Sequence, residues 1–134
     1  MHAAISREAN HVTVIRPVSE RITRTEATHF HRQVFSSLDE GGRVVLDMRH
    51  VQYMDSVGFG VLMRLLKEAR RRDGDIKLVS LTLPVMIVME KLRLYTAFDV
   101  MMSVSEAVAS YRPIAAGSPV AAPAAQTART SPAA

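Results

Sequence analysis

Between residues 55 and 62 the chain reads DSVGFGVL, at the junction of two contrasting patterns. The residues before it, Val44 to Met48, include a short apolar run typical of a central strand that is covered on both faces. After it, from about Val57 to Arg72, apolar residues recur at the spacing of one helix face. The segment is therefore predicted to be a strand-to-helix loop, and such loops of a parallel sheet bind ligands or partners.

Strand and helix patterns alternate along the rest of the chain. Further strands are predicted at His11–Arg16, Ile76–Leu81 and Phe98–Val100, with a weak one at 18–22. Further helices are predicted from a capping box at Thr23–Glu26 to Gly41, from Thr82 and Pro84 to about Leu94, and from a second capping box at Ser103–Glu106 to about Tyr111. Repeated strand-helix-strand crossovers predict an α/β fold, with a mixed, mostly parallel sheet of roughly four to five strands packed with about four helices.

The length of 134 residues suits one domain. We predict a flexible N-terminal segment at 1–9, the domain at 10–112 and a disordered tail at 113–134. Four of the six prolines and nine alanines fall in that tail, a composition that cannot build a packed core. The absence of cysteine excludes disulfides and thiolate metal sites. No apolar stretch approaches the ~20 residues of a membrane span, so we expect a soluble, cytoplasmic protein.

Much of the formal net charge of +4 lies in the second predicted helix. Between Ser56 and Asp73 there are five basic and two acidic residues. A nucleic-acid surface usually needs a wider basic face with interleaved aromatic residues, which make up only 5% of this chain. We therefore predict no direct nucleic-acid partner and interpret the run as a solvated helix end that complements the C-terminal dipole.

Ser56 stands where the second helix is predicted to begin. Either Asp55 or Ser56 is a natural N-cap, and a hydroxyl there lies beside unpaired backbone N–H groups and the positive end of the helix dipole. A phosphate on Ser56 would thus be tolerated by the fold. At about 100° per residue, Ser56, Gly60, Met63 and Lys67 fall on one side of the helix, a plausible partner-binding face. The alternative is that Met63 and the neighbouring Phe59 pack under loops and the glycines fit the helix against the sheet.

The run DSVGFGVL resembles the D-S-x-G-[hydrophobic]-G-x-L signature of STAS domains in anti-sigma factor antagonists, and the surrounding layout matches from about Asn10 to Arg112. The resemblance implies that Ser56 is a phosphoacceptor, that Asp55 positions it, and that Gly58 and Gly60 let a kinase approach. The implied partner is an anti-sigma factor that is also a serine protein kinase of the GHKL ATPase type. The unphosphorylated protein would capture this kinase and free a sigma factor. A PP2C-type phosphatase acting on phosphoserine would restore capture. The predicted partner-binding residues are Asp55, Ser56, Val57, Gly58, Phe59, Gly60, Met63 and Lys67.

Two departures from the family pattern stand out. The glycine-containing turn that usually joins the first two strands is replaced by Pro17–Arg21, and Phe59 occupies a position that is more often aliphatic. The turn is often part of the partner surface in the family, so the resemblance leaves its geometry here open, and we expect Phe59 to affect partner choice.

Other classes of function fit the residues less well. Met54 stands where a G-x-S-x-G nucleophile elbow needs glycine, and no acid-histidine pair is placed to activate Ser56. We predict no enzyme activity and no catalytic, cofactor-binding or metal-binding residues. A phosphoaspartate receiver would use Asp47, yet no acidic pair follows the first strand. The more serious alternative is an unphosphorylated STAS scaffold, or a subunit of a sensory or lipid-transport complex.

Overall fold

The computed structural model describes residues 2–112, so the predicted tail at 113–134 lies outside the described residues. The strands are β1 (Ala3–Glu8), β2 (Val12–Pro17), β3 (Arg21–Ile22), β4 (Arg43–Asp47), β5 (Tyr53–Met54), β6 (Asp75–Val79) and β7 (Asp99–Met101). The helices are α1 (Arg24–Ser37), α2 (Ser56–Arg71), α3 (Leu83–Lys91) and α4 (Val104–Ser110), and short 3-10 turns occupy Ala9–His11, Leu38–Glu40 and Leu94–Thr96.

The main sheet has five strands in the order β1-β2-β4-β6-β7. Strands β2, β4, β6 and β7 run parallel, and β1 pairs antiparallel with β2 at the edge. The predicted α/β fold, with a mixed and mostly parallel sheet and four helices, is confirmed.

Helices cover both faces of this sheet. Along β4, Val44 and Leu46 belong to one core, to which α1, α2 and α3 contribute, whereas Val45 belongs to a second core that includes Val108 of α4. Successive side chains of a strand point to opposite faces of the sheet. Because both faces of β4 are buried, this strand carries an unbroken apolar run. Among residues 2–112, none of the helices combines the length and apolar character that crossing a membrane requires.

The predicted flexible segment at 1–9 is wrong for most of its length. Residues 3–8 form β1, which pairs with β2 from Ala3 opposite Pro17 to Glu8 opposite Val12. The strand escapes sequence detection because none of its side chains is fully buried, so it carries no apolar pattern. Its backbone hydrogen bonds, and a tight turn in which Asn10 and His11 have φ of 62° and 59°, hold it in place. Asparagine is among the residues that adopt this left-handed conformation most readily.

The predicted helix ends are correct to within a few residues. Helix α2 starts one residue earlier than expected, and its capping residue is Asp55. Helix α3 ends at Lys91 instead of about Leu94, because Arg93 adopts a left-handed conformation with φ 57°. The capping box of Thr23 and Glu26 at the start of α1 is present as predicted.

A second, two-stranded sheet joins the segments that lead into α1 and α2. Strands β3 and β5 run parallel, with Arg21 opposite Tyr53 and Ile22 opposite Met54. Because both strands end at the same level, the N-termini of α1 and α2 lie side by side. This small sheet positions the candidate site.

Candidate functional site

The carboxylate of Asp55 links the two helix N-termini. Its Oδ1 accepts a hydrogen bond of 2.9 Å from the backbone N–H of Gly58, in the first turn of α2. Its Oδ2 accepts one of 3.1 Å from the backbone N–H of Arg24, the first residue of α1. One side chain thus satisfies orphan N–H groups of two helices, a role that N-cap aspartate usually performs for one.

These hydrogen bonds keep Asp55 ionised. The backbone N–H of Gly58, helped by those of Arg24 and Val57, lowers the pKa of Asp55 below its usual value, against a smaller opposing effect of desolvation. Hydrogen bonds to the charged form favour that form. A negative charge therefore sits immediately before Ser56 at neutral pH.

Ser56 is the first residue of α2, and its side chain is exposed. Within residues 2–112 the Ser56 hydroxyl takes part in no hydrogen bond and is accessible to solvent. A phosphate at this position would lie at the positive end of the helix dipole, which favours negative charge.

The two predicted glycines occupy different surroundings. Gly58 is buried, and a Cβ added to it would collide with the carbonyl oxygen of Ile22 in β3. Nothing lies within 4 Å of a Cβ added to Gly60. The close approach at Gly58 is therefore made within the chain itself, by β3, and only Gly60 leaves bare backbone on the surface.

Phe59 does not belong to the surface predicted for it. Its side chain is 2% exposed and packs in the main core. The helical-wheel argument placed it beyond the edge of the core stripe, but in the folded domain it lies within the same core as Val85 and Met89 of α3. Phe59 and the buried Gly58 are thus removed from the set of candidate contact residues.

The other predicted residues lie together on the outer side of α2. We define the outer ridge as Ser56, Gly60, Met63 and Lys67. Ser56 and Lys67 are exposed, and Gly60 and Met63 are half-buried. Val57 is half-buried at the side of the ridge that faces α1. The ridge presents a hydroxyl, bare backbone, a thioether and a cation, residue types suited to a packed protein contact.

A groove between α1 and α2 runs along the ridge. It has a volume of about 350 Å³ and is lined by Arg24, Ala27, Thr28 and His31 of α1 and by Val57, Val61 and Arg64 of α2. We call this the α1–α2 groove. Sequence reasoning missed the contribution of α1, because only tertiary packing brings the two helices together. The only signal in the sequence for this contribution was that the positions of α1 that line the groove are spaced three or four residues apart, and so lie on one face of the helix.

Asp47, the residue considered for a receiver-like phosphoacceptor, is buried in an ion-pair cluster at the end of β4. Its Oδ2 lies 2.9 Å from Nε of Arg16 and 2.9 Å from Nη2 of Arg49. Although burial raises the pKa of Asp47, hydrogen bonds from Arg49 and Arg16 lower it by more, so the net shift is downward. A carboxylate held by two guanidinium groups is poorly disposed to act as an exposed nucleophile, which argues against the receiver interpretation.

A family model described as the STAS domain matches residues 3–107. Among curated proteins, none matches this chain.

Three solved structures illustrate the likeness in fold. An anti-sigma-factor antagonist (STAS) domain protein from Planctomyces limnophilus has a TM-score of 0.73 at 19% identity, covering 81% of this chain and 96% of that one. The Bacillus cell fate determinant SpoIIAA in its phosphorylated form has a TM-score of 0.63 at 15% identity, covering 83% and 100%. The murine anion transporter Slc26a9 has a TM-score of 0.67 at 19% identity, covering 78% of this chain but only 18% of the transporter. At identities of 19% or lower, the likeness concerns the fold.

Proposed function

The chain belongs to the STAS domain family, and we propose that it is an anti-sigma factor antagonist whose binding to a partner is controlled by phosphorylation of Ser56. Its structural neighbours include anti-sigma factor antagonists. In the proposed cycle the partner is an anti-sigma factor and serine kinase of the GHKL ATPase type. A PP2C-type phosphatase removes the phosphate. The protein acts in the cytoplasm as a binding module and not as an enzyme.

The observation that carries this proposal is the exposed, unbonded hydroxyl of Ser56 at the start of a helix whose cap is Asp55. The hydroxyl stands at one end of the outer ridge, so a protein that packs on Gly60 and Met63 would also cover Ser56. Transfer of the γ-phosphoryl group of ATP to Ser56 Oγ, with loss of the hydroxyl proton and release of ADP, would place the modification within the contact surface.

A phosphate there changes binding far more than folding. It adds roughly −1.5 to −2 charge at neutral pH. In the free protein this charge faces water, the N-terminal dipole of α2 and the nearby Arg24, so the fold accommodates it. In a complex it would have to be desolvated beside the ionised Asp55, which costs free energy unless the partner supplies a matching cation.

A second candidate function follows from the likeness to the anion transporter. In that protein a domain of this fold is a small part of a much longer chain. The same fold without phosphorylation would then serve here as a scaffold or as a subunit of a sensory or lipid-transport complex. Whether Ser56 is phosphorylated distinguishes the anti-sigma factor antagonist from the scaffold.

The first experiment is phosphosite mapping. The protein is incubated with ATP and each GHKL-type kinase of its host in turn, and the products are examined by intact mass and peptide mapping. We expect one phosphate, on Ser56, that is absent in Ser56→Ala and is removed by a PP2C-type phosphatase of the host. Ser36→Ala, at an exposed serine of α1, is the matched control and should be phosphorylated like the wild type. No phosphate with any kinase would favour the scaffold.

The second experiment measures binding to the kinase that modifies Ser56. Ser56→Ala should remain bound in the presence of ATP, since it cannot be modified. Ser56→Asp should bind weakly, because it places a second carboxylate beside Asp55. Equal binding of the two variants would show that Ser56 is not the switch.

A further inference from the structure

We propose that the α1–α2 groove binds an acidic, amphipathic segment of the partner protein. The inference rests on the proposed function for the identity of the partner, but the groove can also be tested without it. Other cavities and exposed apolar side chains occur among the described residues. Only this groove combines shape, charge and position in one place.

The groove has an apolar floor. Ala27 of α1 and Val61 of α2 are buried at its base, and the half-buried Val57 stands at the end next to Ser56. Beyond His31 and Arg64 the depression continues as a second cavity of about 330 Å³ toward Phe35, which is 37% exposed. A partner segment that lies along the groove therefore has apolar surface to bury at Ala27, Val57 and Val61, as helices do in hydrophobic grooves.

The rim of the groove is basic and largely uncompensated. Arg24, Arg64 and Lys67 are exposed, and within residues 2–112 none of their side chains forms an ion pair. Arg24 is near enough to Asp55 to lower the pKa of that carboxyl, without a direct salt bridge to it.

Arg71 and Arg72, at the end of α2, differ from the rim cations because both form ion pairs. Glu68 lies 3.0 Å from Arg71 and 2.8 Å from Arg72. Asp39 adds a contact of 3.0 Å to Arg72. The positive field of the rim thus comes mainly from Arg64 and Lys67, which form no ion pair within residues 2–112, with a smaller share from Arg24 beside Asp55. This charge favours an acidic occupant.

The groove opens beside the proposed phosphoacceptor. Val57 follows Ser56 directly, and Arg24 donates its backbone N–H to the carboxylate of Asp55. An occupant that fills the groove as far as Val57 would also cover the Ser56 hydroxyl. The acidic segment and the phosphorylation site therefore belong to one contact surface.

An acidic protein segment fits better than a nucleic acid, the other polyanion. The phosphate backbone of a nucleic acid has no apolar surface to bury against the floor formed by Ala27, Val57 and Val61. Phe35, which lines the second cavity, already stacks on His31 with ring centroids 5.4 Å apart, and the guanidinium of Arg72 lies 5.1 Å from its ring centroid. It offers little free face for base stacking.

The test uses the kinase that phosphorylates Ser56. Its association rate is measured by stopped flow at low and high salt with Arg64→Glu and with the double variant Arg24→Glu/Arg64→Glu. Electrostatic steering accelerates association by about 10-fold or more, so we expect at least a 10-fold slower association for the double variant at low salt and a smaller loss at high salt. Lys91→Glu, an exposed lysine of α3 outside the groove, is the control and should associate at the wild-type rate. Unchanged association of both groove variants, with thermal unfolding intact, would overturn the proposal while leaving Ser56 phosphorylation standing.

A peptide experiment decides the matter if no kinase modifies Ser56. The probe is an 18-residue amphipathic helical peptide with leucine on one face and glutamate on the other, compared with the same peptide carrying lysine. We expect amide chemical-shift changes at Arg24, Val57 and Arg64 with the glutamate peptide only, and none in the double variant. No shifts at millimolar glutamate peptide, equal shifts with both peptides, or tighter groove binding of a 20-base-pair DNA duplex would each overturn the proposal.

Discussion

Gly58 and Gly60 stand two residues apart in α2, yet a methyl group added to each would meet different surroundings. At Gly58 it would collide with the carbonyl oxygen of Ile22, and at Gly60 it would meet nothing within 4 Å. Gly58 is needed for packing, since it lets α2 approach β3. Gly60 leaves the backbone of the outer ridge without a side chain. Residues of the same type in one motif therefore act on opposite sides of the helix.

Phe59 and Met63 repeat this difference. Both are large apolar residues near the edge of the core stripe of α2. Phe59 is buried in the main core, whereas Met63 is half-buried and only packs against it. The residues on the inner side of α2 are thus determined by the packing of the domain, whereas those on the outer side are available to contact a partner. The predictions below test this division.

The largest expected effect is on the inner side. Phe59→Ala should lower the free energy of unfolding by about 3–5 kcal/mol, the usual cost of truncating a buried phenylalanine. Urea denaturation followed by circular dichroism measures this change. Met63→Ala is the matched variant on the outer side and should cost far less. Similar losses for the two variants would contradict the division of α2 into two sides.

Gly58→Ala should also destabilise the protein. The added Cβ has no room beside the Ile22 carbonyl, and overpacking of this kind costs about 1–3 kcal/mol, partly offset by the gain of up to about 1 kcal/mol in helix propensity. Gly60→Ala is the control. With open space around it, it should keep only the propensity gain and raise stability by up to about 1 kcal/mol. Equal changes in the two midpoints of urea denaturation would mean that the contact with β3 does not constrain Gly58.

A smaller effect, dependent on pH, is expected at Asp55. Its pKa is lowered in the folded state, so its contribution to stability is present above the unfolded pKa of ~3.9. That contribution is lost as pH falls through the folded value. Asp55→Asn keeps a capping side chain but cannot ionise.

The stability difference between wild type and Asp55→Asn should therefore be largest near neutral pH and shrink below about pH 4. Urea denaturation at several pH values measures it, and subtracting the variant removes the effects of Glu26, Asp47 and Glu68, whose pKa values are also lowered. A difference that does not change with pH would mean that the charge on Asp55 plays no part in holding the two helices.

The smallest effect on stability is expected at Met63. Arginine can lay its aliphatic stem along the core edge and keep its charge in water, so Met63→Arg should change the free energy of unfolding by no more than about 0.5 kcal/mol. It should nevertheless weaken binding to the kinase, because the bulky cation stands in the middle of the outer ridge. Ala109→Arg, on an exposed position of α4, controls for added charge and should bind normally. A collapsed melting transition in Met63→Arg would instead indicate that Met63 is a core residue.

The elements of the domain were largely predictable from periodicity and capping residues. Strand β4 was recognisable because an apolar run serves two faces at once, and α1 because the Thr23–Glu26 capping box precedes a helical pattern. Strand β1 was not, since its exposed side chains carry no pattern and only pairing with β2 holds it. The end of α3 was also missed, because nothing in the residue type of Arg93 signals a left-handed backbone.

At the site, the motif by itself narrowed the cap of the second helix to Asp55 or Ser56, because a short polar side chain before a helical pattern can accept hydrogen bonds from the first backbone N–H groups. In the structure the cap is Asp55. The resemblance to the STAS signature added the role of that serine. Only the tertiary structure decided which neighbours of Ser56 are accessible. Burial depends on what packs against each side of α2, and helical spacing alone cannot tell a position covered by β3 or by the rest of the core from one that faces water. The same physical reason explains why the sequence did not predict that α1 contributes to the site. Strands β3 and β5 are far apart in the chain, and only their pairing in the folded domain brings Arg24 to Asp55.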